Sequence, residues 1–214
     1  MKSFVKTVAL ATAVMAAPLM AMATAAGDEK YLLVSHAPDS DSWWNTIKNG
    51  IALTGDQMGV EVEYSNPPTG DLADMARIIE QATASGPTGI ITTLSDFDVL
   101  SGPIRAADQG IDVIIMNSGT PEQARKVDAL MYVGQPEYDA GYAAGLRAKG
   151  DGVGPFLCVN HYISSPSSTE RCQGFADGLG IELGNQMIDS GQDPAEVKNR
   201  VPAYLSANPD TDAG

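Results

Sequence analysis

The 214-residue chain has few of the residues from which many sites are built. It holds two cysteines, two histidines, two tryptophans and four phenylalanines. Two Cys and two His leave little for a zinc centre of that donor type, so no metal is expected. Basic residues are scarce as well, with 13 Lys and Arg against 27 Asp and Glu and a formal charge of −14. That imbalance excludes a protein that wraps nucleic acid or lies on an anionic membrane. Beyond residue 22 no apolar run is long enough to span a bilayer. After the N-terminal segment there is no G-x-S-x-G elbow, P-loop, H-E-x-x-H or G-x-G-x-x-G. The glycine-rich stretch Gly150-Asp151-Gly152-Val153-Gly154 precedes an expected strand instead of following one, which argues against phosphate binding. An enzyme is therefore not expected, and no cofactor is implied.

What is present begins with a targeting segment. Lys2 and Lys6 precede an uncharged apolar run, Val8 to Met22, which ends in Ala23-Thr24-Ala25. A basic start, a short apolar core and a small-residue cleavage signature make residues 1–25 a secretory signal peptide. The run of ~13–15 residues is short of the ~20 that a membrane-spanning helix needs. The mature chain is expected to be exported, without stable membrane insertion, and more acidic still once Lys2 and Lys6 are lost. In an oxidising compartment a cysteine pair tends to bridge. Cys158 and Cys172 are candidates for such a disulfide, the alternative being two buried thiols.

The mature chain alternates short apolar runs with amphipathic segments. Strands are expected at Lys30–Ser35, Val60–Tyr64, Gly89–Leu94 and Asp112–Met116. Between and after them helices are expected over Trp43–Met58, from Leu72 to Gly86, and over Val99–Gln109. Apolar strands joined by helical crossovers imply a parallel sheet covered on both sides. Residues 117–129 read as polar and irregular, and Leu130–Val133 as a short strand. A boundary is placed at Gln135-Pro136. A second series follows: helix Glu137–Lys149, strand Gly154–Asn160, helix Ser168–Leu183, strand Gly184–Asp189 and helix Pro194–Ala207. The expected organisation is α/β with two Rossmann-like lobes, 26–134 and an incomplete 135–214. The Asn208-Pro209-Asp210 turn should feed a further strand, and two strands make a poor sheet, so a truncated chain is expected.

Several strings resemble one family. They are Asp41-Ser42-Trp43-Trp44 with Gly50, Gly89-Ile90-Ile91-Thr92-Thr93-Leu94-Ser95-Asp96, and Ala106 to Val113 with Asp112 where Pro is usual. Arg171-Cys172-Gln173-Gly174-Phe175 and Asn208-Pro209-Asp210-Thr211 complete the set. In this order, behind a signal peptide, the chain resembles the type I periplasmic solute-binding proteins, in the sugar cluster around the ribose- and galactose-binding proteins. The resemblance covers about Lys30 to Asp212. It implies two lobes that close on one solute, a sugar or related polyol, and delivery to the membrane permease of an ABC importer. A sensory subunit presenting its ligand to a receptor kinase is the alternative, and an exported hydrolase is disfavoured. Because the resemblance also implies that later segments complete the second lobe, this chain alone is expected to bind solute weakly or not at all.

In open α/β sheets ligands bind beyond the carboxyl ends of the strands. A sugar needs hydrogen-bonding groups and a flat apolar face. Trp43 and Trp44 are candidates for the face, although adjacent helical positions diverge by about 100° and one of them should be core. Asp96, Asn117 and Ser118 are candidates for the polar rim, with Asp96 equally readable as a helix N-cap. Asn117 falls where many sugar binders of the family have Asp. Arg171 is either a ligand fork or a surface charge.

Overall fold

A computed structural model describes residues 29–108 and 110–211, so the signal segment 1–25 lies outside the described residues. β1 (Lys30–Val34) lies inside the first sheet, with a strand on either side. Its side chains alternate between two buried faces, as a strand's period of two requires. Leu32 and Val34 pack with Met75, Ile79, Ile90, Ile104, Val113 and Ile115, on the face covered by α2 (Leu72–Ala84) and α3 (Phe97–Asp108). Leu33 points the other way, to Ala37 and Trp44 under α1 (Trp44–Met58).

The remaining strands are β2 (Glu61–Ser65), β3 (Gly89–Thr92), β4 (Asp112–Met116) and β5 (Met131–Val133). All pairings are parallel and the order is β2-β1-β3-β4-β5. The chain leaves β1 toward one edge and returns beside it to build toward the other. The loops after β1 and β3 therefore part at the carboxyl end and leave a crevice, the usual ligand position in such sheets. The expectation of strands apolar on both faces fails at the edge. β2 reads Glu-Val-Glu-Tyr-Ser with its glutamates exposed, as suits a strand with one neighbour.

The stretch 117–129, expected to be irregular, contains α4 (Pro121–Lys126). Thr120 Oγ1 accepts from Gln123 N while Gln123 Oε1 accepts from Thr120 N, a reciprocal capping box, and Pro121 occupies the first turn. Those local signals suffice for a helix of six residues.

The second unit is smaller. β6 (Cys158–Asn160) and β7 (Met187–Asp189) form a parallel pair. The expected strand 154–160 is cut to its last three residues, because only these have a partner in β7. α5 (Glu137–Gly150) lies directly on α6 (Pro166–Leu179). Four glycines make this approach possible. A Cβ on Gly141 or Gly145 would fall on the carbonyl oxygen of Arg171 or Phe175, and one on Gly174 or Gly178 on that of Tyr138 or Tyr142. Phe156, Cys172, Ala176, Leu179 and Leu183 form the unit's core. A disulfide joins Cys158 to Cys172 with their Cα atoms 6.0 Å apart. α6 begins at Pro166, earlier than the expected Ser168, since proline suits a first helical turn. It ends at a left-handed Gly180 instead of running to Leu183. α7 (Pro194–Ala207) forms as expected, with Asp193 Oδ1 accepting from Ala195 N.

Among the described residues no helix is long and apolar enough to cross a membrane, and no group of three or more His, Cys, Asp or Glu could hold a metal ion.

Candidate solute-binding cleft

The crevice at the carboxyl end of the first sheet is organised by His36 and Thr93, from the loops after β1 and β3. His36 N donates to Thr93 Oγ1 at 3.0 Å, and His36 Nδ1 lies 3.0 Å from the same oxygen. The hydroxyl accepts from the amide and keeps its own proton for Nδ1, which fits a neutral ring protonated at Nε2. The imidazole is buried, and its pKa is pushed down to about 4, by desolvation first and by the neighbouring His161 second. Trp44 meets the His36 ring edge-on at 5.7 Å and is itself only 3% exposed. Trp43 packs edge-on against Trp44 at 5.3 Å but remains 52% exposed. Trp44 is thus mainly a core residue, and Trp43 offers the free aromatic surface.

On the β4 side the backbone of Asn117 is left-handed, with φ 60°. Asparagine tolerates this conformation better than most residues. Tyr132 Oη donates to the Asn117 carbonyl at 2.9 Å, and Ser118 Oγ donates to Asn117 Oδ1 at 3.1 Å. The turn and its amide are therefore fixed.

The second unit supplies the opposite wall. Tyr162, in the loop after β6, packs edge-on against His36 with centroids 5.2 Å apart. Tyr162 Oη donates to the Gly70 carbonyl at 3.2 Å. Burial pushes the pKa of this hydroxyl up to about 12. Ser167 Oγ lies 3.3 Å from both the amide and the carbonyl of Gly119. At the far end Arg171 donates through Nε and Nη2 to Glu137 Oε2. Glu137 is 8% exposed, whereas the Arg171 side chain is 53% exposed. Glu170 is held above the usual carboxylate range, mainly by burial and further by the Glu137 charge.

These walls enclose a cleft of about 460 Å³. Of the residues singled out in the sequence, Trp43, Trp44, Asn117, Ser118 and Arg171 line it, as do both cysteines, Cys158 and Cys172. Asp96 is not on the lining. Its Oδ1 accepts from Asp98 N and Val99 N, so it caps α3. Sequence reasoning passed over Tyr162, Glu137 and Ser167. Each acquires its place from the apposition of distant segments. Only Glu137 had a local cue, as the first acid after the Gln135-Pro136 boundary.

The cleft is polar. The Arg171 guanidinium is answered by Glu137, Asp41 adds a second carboxylate to the lining, and His36 at the inner end is neutral. Such a lining suits a small neutral guest with many hydroxyls, with an indole available to its C–H face.

Comparison with known proteins agrees with this architecture. Residues 31–214 match the family described as periplasmic binding protein domain. A carbohydrate transporter from Acidothermus cellulolyticus, solved with myo-inositol, is 30% identical with a TM-score of 0.79, covering 86% of this chain and 63% of its own. A periplasmic sugar-binding protein of an ABC sugar transporter from Legionella pneumophila is 26% identical with a TM-score of 0.77, covering 86% of this chain and 68% of its own. A sugar-binding protein of a sugar ABC transporter from Bacillus halodurans is 25% identical with a TM-score of 0.67, covering 85% and 63%. The chain thus spans about two thirds of the length of these proteins. No curated protein matches it significantly. With the match running from the first strand through the second unit, over the two parallel sheets that flank the cleft, the chain belongs to the periplasmic binding protein family.

Proposed function

We propose that the chain is an exported solute-binding component that takes one small, neutral, polyhydroxylated molecule, a monosaccharide or cyclitol, and hands it to the membrane permease of an ATP-driven importer. Residues 1–25 direct export to the periplasm and are removed. Residues 26–134 form one lobe and 135–214 contribute to the other. The observation that carries this reading is the polar cleft lined from both units, with Trp43 on one wall and the Glu137-paired Arg171 on the other. Trp43 stacks on the apolar face of the guest, Asn117 and Ser118 bond its hydroxyls, and Arg171 donates from the opposite side. Asp96 caps α3 and does not touch the guest. Binding favours the closed arrangement, and that shift in population is what a permease reads. The structural relatives bind carbohydrate by their own descriptions, which supports the solute class.

The test is titration of the full chain, followed by amide chemical shifts, with myo-inositol, D-glucose, D-galactose, D-ribose and D-arabinose. The expected result is saturable shifts confined to cleft residues for at least one of them, with a Kd between micromolar and roughly 1 mM, the latter about 4 kcal/mol of binding. Trp43→Ala and Arg171→Lys should each weaken it. Absence of saturable shifts for all five at roughly tens of millimolar, where a Kd of about 1 mM would be saturated, overturns the proposal.

A further inference from the structure

Both half-cystines lie on the wall of the cleft, and Cys172 directly follows Arg171. Cys158 opens β6 and Cys172 lies two turns into α6, so their bond ties that helix to the small sheet beneath it. The tie matters because of how α6 is held elsewhere. Its contact with α5 runs along Gly141, Gly145, Gly174 and Gly178, backbone on backbone. The Tyr138 hydroxyl adds an exposed side-chain bond across the seam, to Asp177 Oδ2 at 2.6 Å, so side-chain contact between the helices is sparse but not absent. Arg171 must reach across that seam to Glu137 at the start of α5. The position of its guanidinium thus depends on the translation of α6, and the disulfide is the covalent constraint on that translation.

We propose that the Cys158–Cys172 disulfide is a positioning bond of the solute cleft. Closed, it holds Arg171 on the wall against Glu137. Opened by a small thiol, it lets α6 slide, and the placement of Arg171 and the affinity for solute fall together while the first sheet stays folded. The chemistry is a two-electron exchange. A dithiol attacks one sulfur, the S–S bond breaks, the second thiolate closes a cyclic disulfide, and the two cysteines leave as thiols with the dithiol's two protons. Both cysteines border the cleft, Cys172 with 9% of its surface exposed. The consequence for affinity rests on the solute-binding reading given above, whereas the consequence for Arg171 does not.

The experiment compares the full chain oxidised and after dithiol reduction. The first readout is the Arg171 Nε–H resonance, assigned by its loss in Arg171→Lys. It should be sharp and shielded from exchange in the oxidised chain, and broadened or lost on reduction. The second is titration with myo-inositol and D-glucose. Reduction should weaken binding about tenfold or more, the drop that follows when about a tenth of molecules remain competent. In Arg171→Lys, reduction should have little further effect, because the two changes act through the same contact. Equal losses in wild type and Arg171→Lys would overturn the proposal, as would an unchanged Arg171 resonance or unfolding of α5 and α6 on reduction. The bond would then serve only the unit's stability. A chain with Cys158→Ser and Cys172→Ser should reproduce the reduced state without reagent. Should that variant not fold, reduction of the native chain decides alone. If the oxidised chain binds neither probe, the solute-binding reading fails while the resonance still judges the role of the bond.

Discussion

The ring of Tyr162 stands edge-on to that of His36 with centroids 5.2 Å apart, and the two come from different units. This pair, with the Tyr162 hydroxyl on the Gly70 carbonyl, closes the inner end of the cleft. Tyr162→Phe keeps the ring contact and removes the hydrogen bond, leaving the carbonyl to find water. The expected cost is about 0.5–1.5 kcal/mol, the net worth of such a bond. Because Gly70 belongs to the first unit, the loss should appear as weaker coupling between units. Hydrogen exchange should rise in the 161–165 loop with little change in β3 or β4. Equal protection in the two proteins would show that the hydroxyl contributes nothing to the apposition.

His36 makes stability depend on pH. Its folded pKa of about 4 lies below the ordinary 6.5, so between these values the unfolded chain binds more protons. Stability from this group is complete above about 6.5 and falls as pH drops toward 4, by about 3 kcal/mol in all at 1.4 kcal/mol per unit. Protonation would place a cation between the rings of Trp44 and Tyr162 and beside His161, with Thr93 Oγ1 as its near acceptor. Denaturant melts of wild type and His36→Gln at several pH values separate this group from the carboxylates. The difference between the two curves should slope between pH 6.5 and 4 and be flat above pH 7. A His36 ring that titrates near 6.5 by NMR would contradict the assignment.

Glu137→Gln should act on two neighbours at once. Arg171 loses a charged acceptor and keeps a neutral one, at a cost of about 1–2 kcal/mol after discounting for its half-exposed side chain. Glu170 loses the repulsion of a nearby carboxylate, so its raised pKa should fall toward the ordinary range. It should remain somewhat elevated, because burial is the larger cause. Carboxyl NMR titration of Glu170 in both proteins reads this directly. An upward move in the variant would mean that the two acids do not interact as the structure arranges them.

How much of this was legible in the sequence varies with the range of the interactions involved. β4 and α7 form over the residues expected, since an isolated apolar run and an Asp-Pro helix start are local signals. α4 was equally local, with its Thr120 cap, Pro121 and Gln123, but the polar composition around it masked a helix of six residues. β6 was drawn too long because strand length is set by the partner, and β7 offers only three residues. In the cleft, Asn117 and Ser118 could be placed from their position at the end of β4, and Trp43 from its place in the loop between β1 and α1. Tyr162 could not, for its neighbours His36 and Gly70 belong to the other unit. The partner of Arg171 depends on a helix approach that only the paired glycines of α5 and α6 allow.

Helical glycines give a prediction with opposite signs at two positions, one outside that seam and one within it. Gly50 lies within α1 with nothing within 4 Å of where a Cβ would stand. Gly50→Ala should therefore stabilise the chain by about 0.5–1 kcal/mol, the usual helical preference for alanine. Gly174 lies within α6, where a Cβ would fall on the Tyr138 carbonyl oxygen and 2.9 Å from Tyr142 N. Both obstacles are backbone, so neither can rotate away, and α5 must shift. The same propensity gain is offset by overpacking of about 1–3 kcal/mol and by the loss of close helix contact. Gly174→Ala should destabilise on balance and disturb the Arg171–Glu137 contact beside it. At about 2–4 °C per kcal/mol for a chain of this size, thermal melts should move up for Gly50→Ala and down for Gly174→Ala. If both variants shift upward, α5 and α6 do not meet along the glycine seam, and the wall that carries Arg171 must be built differently.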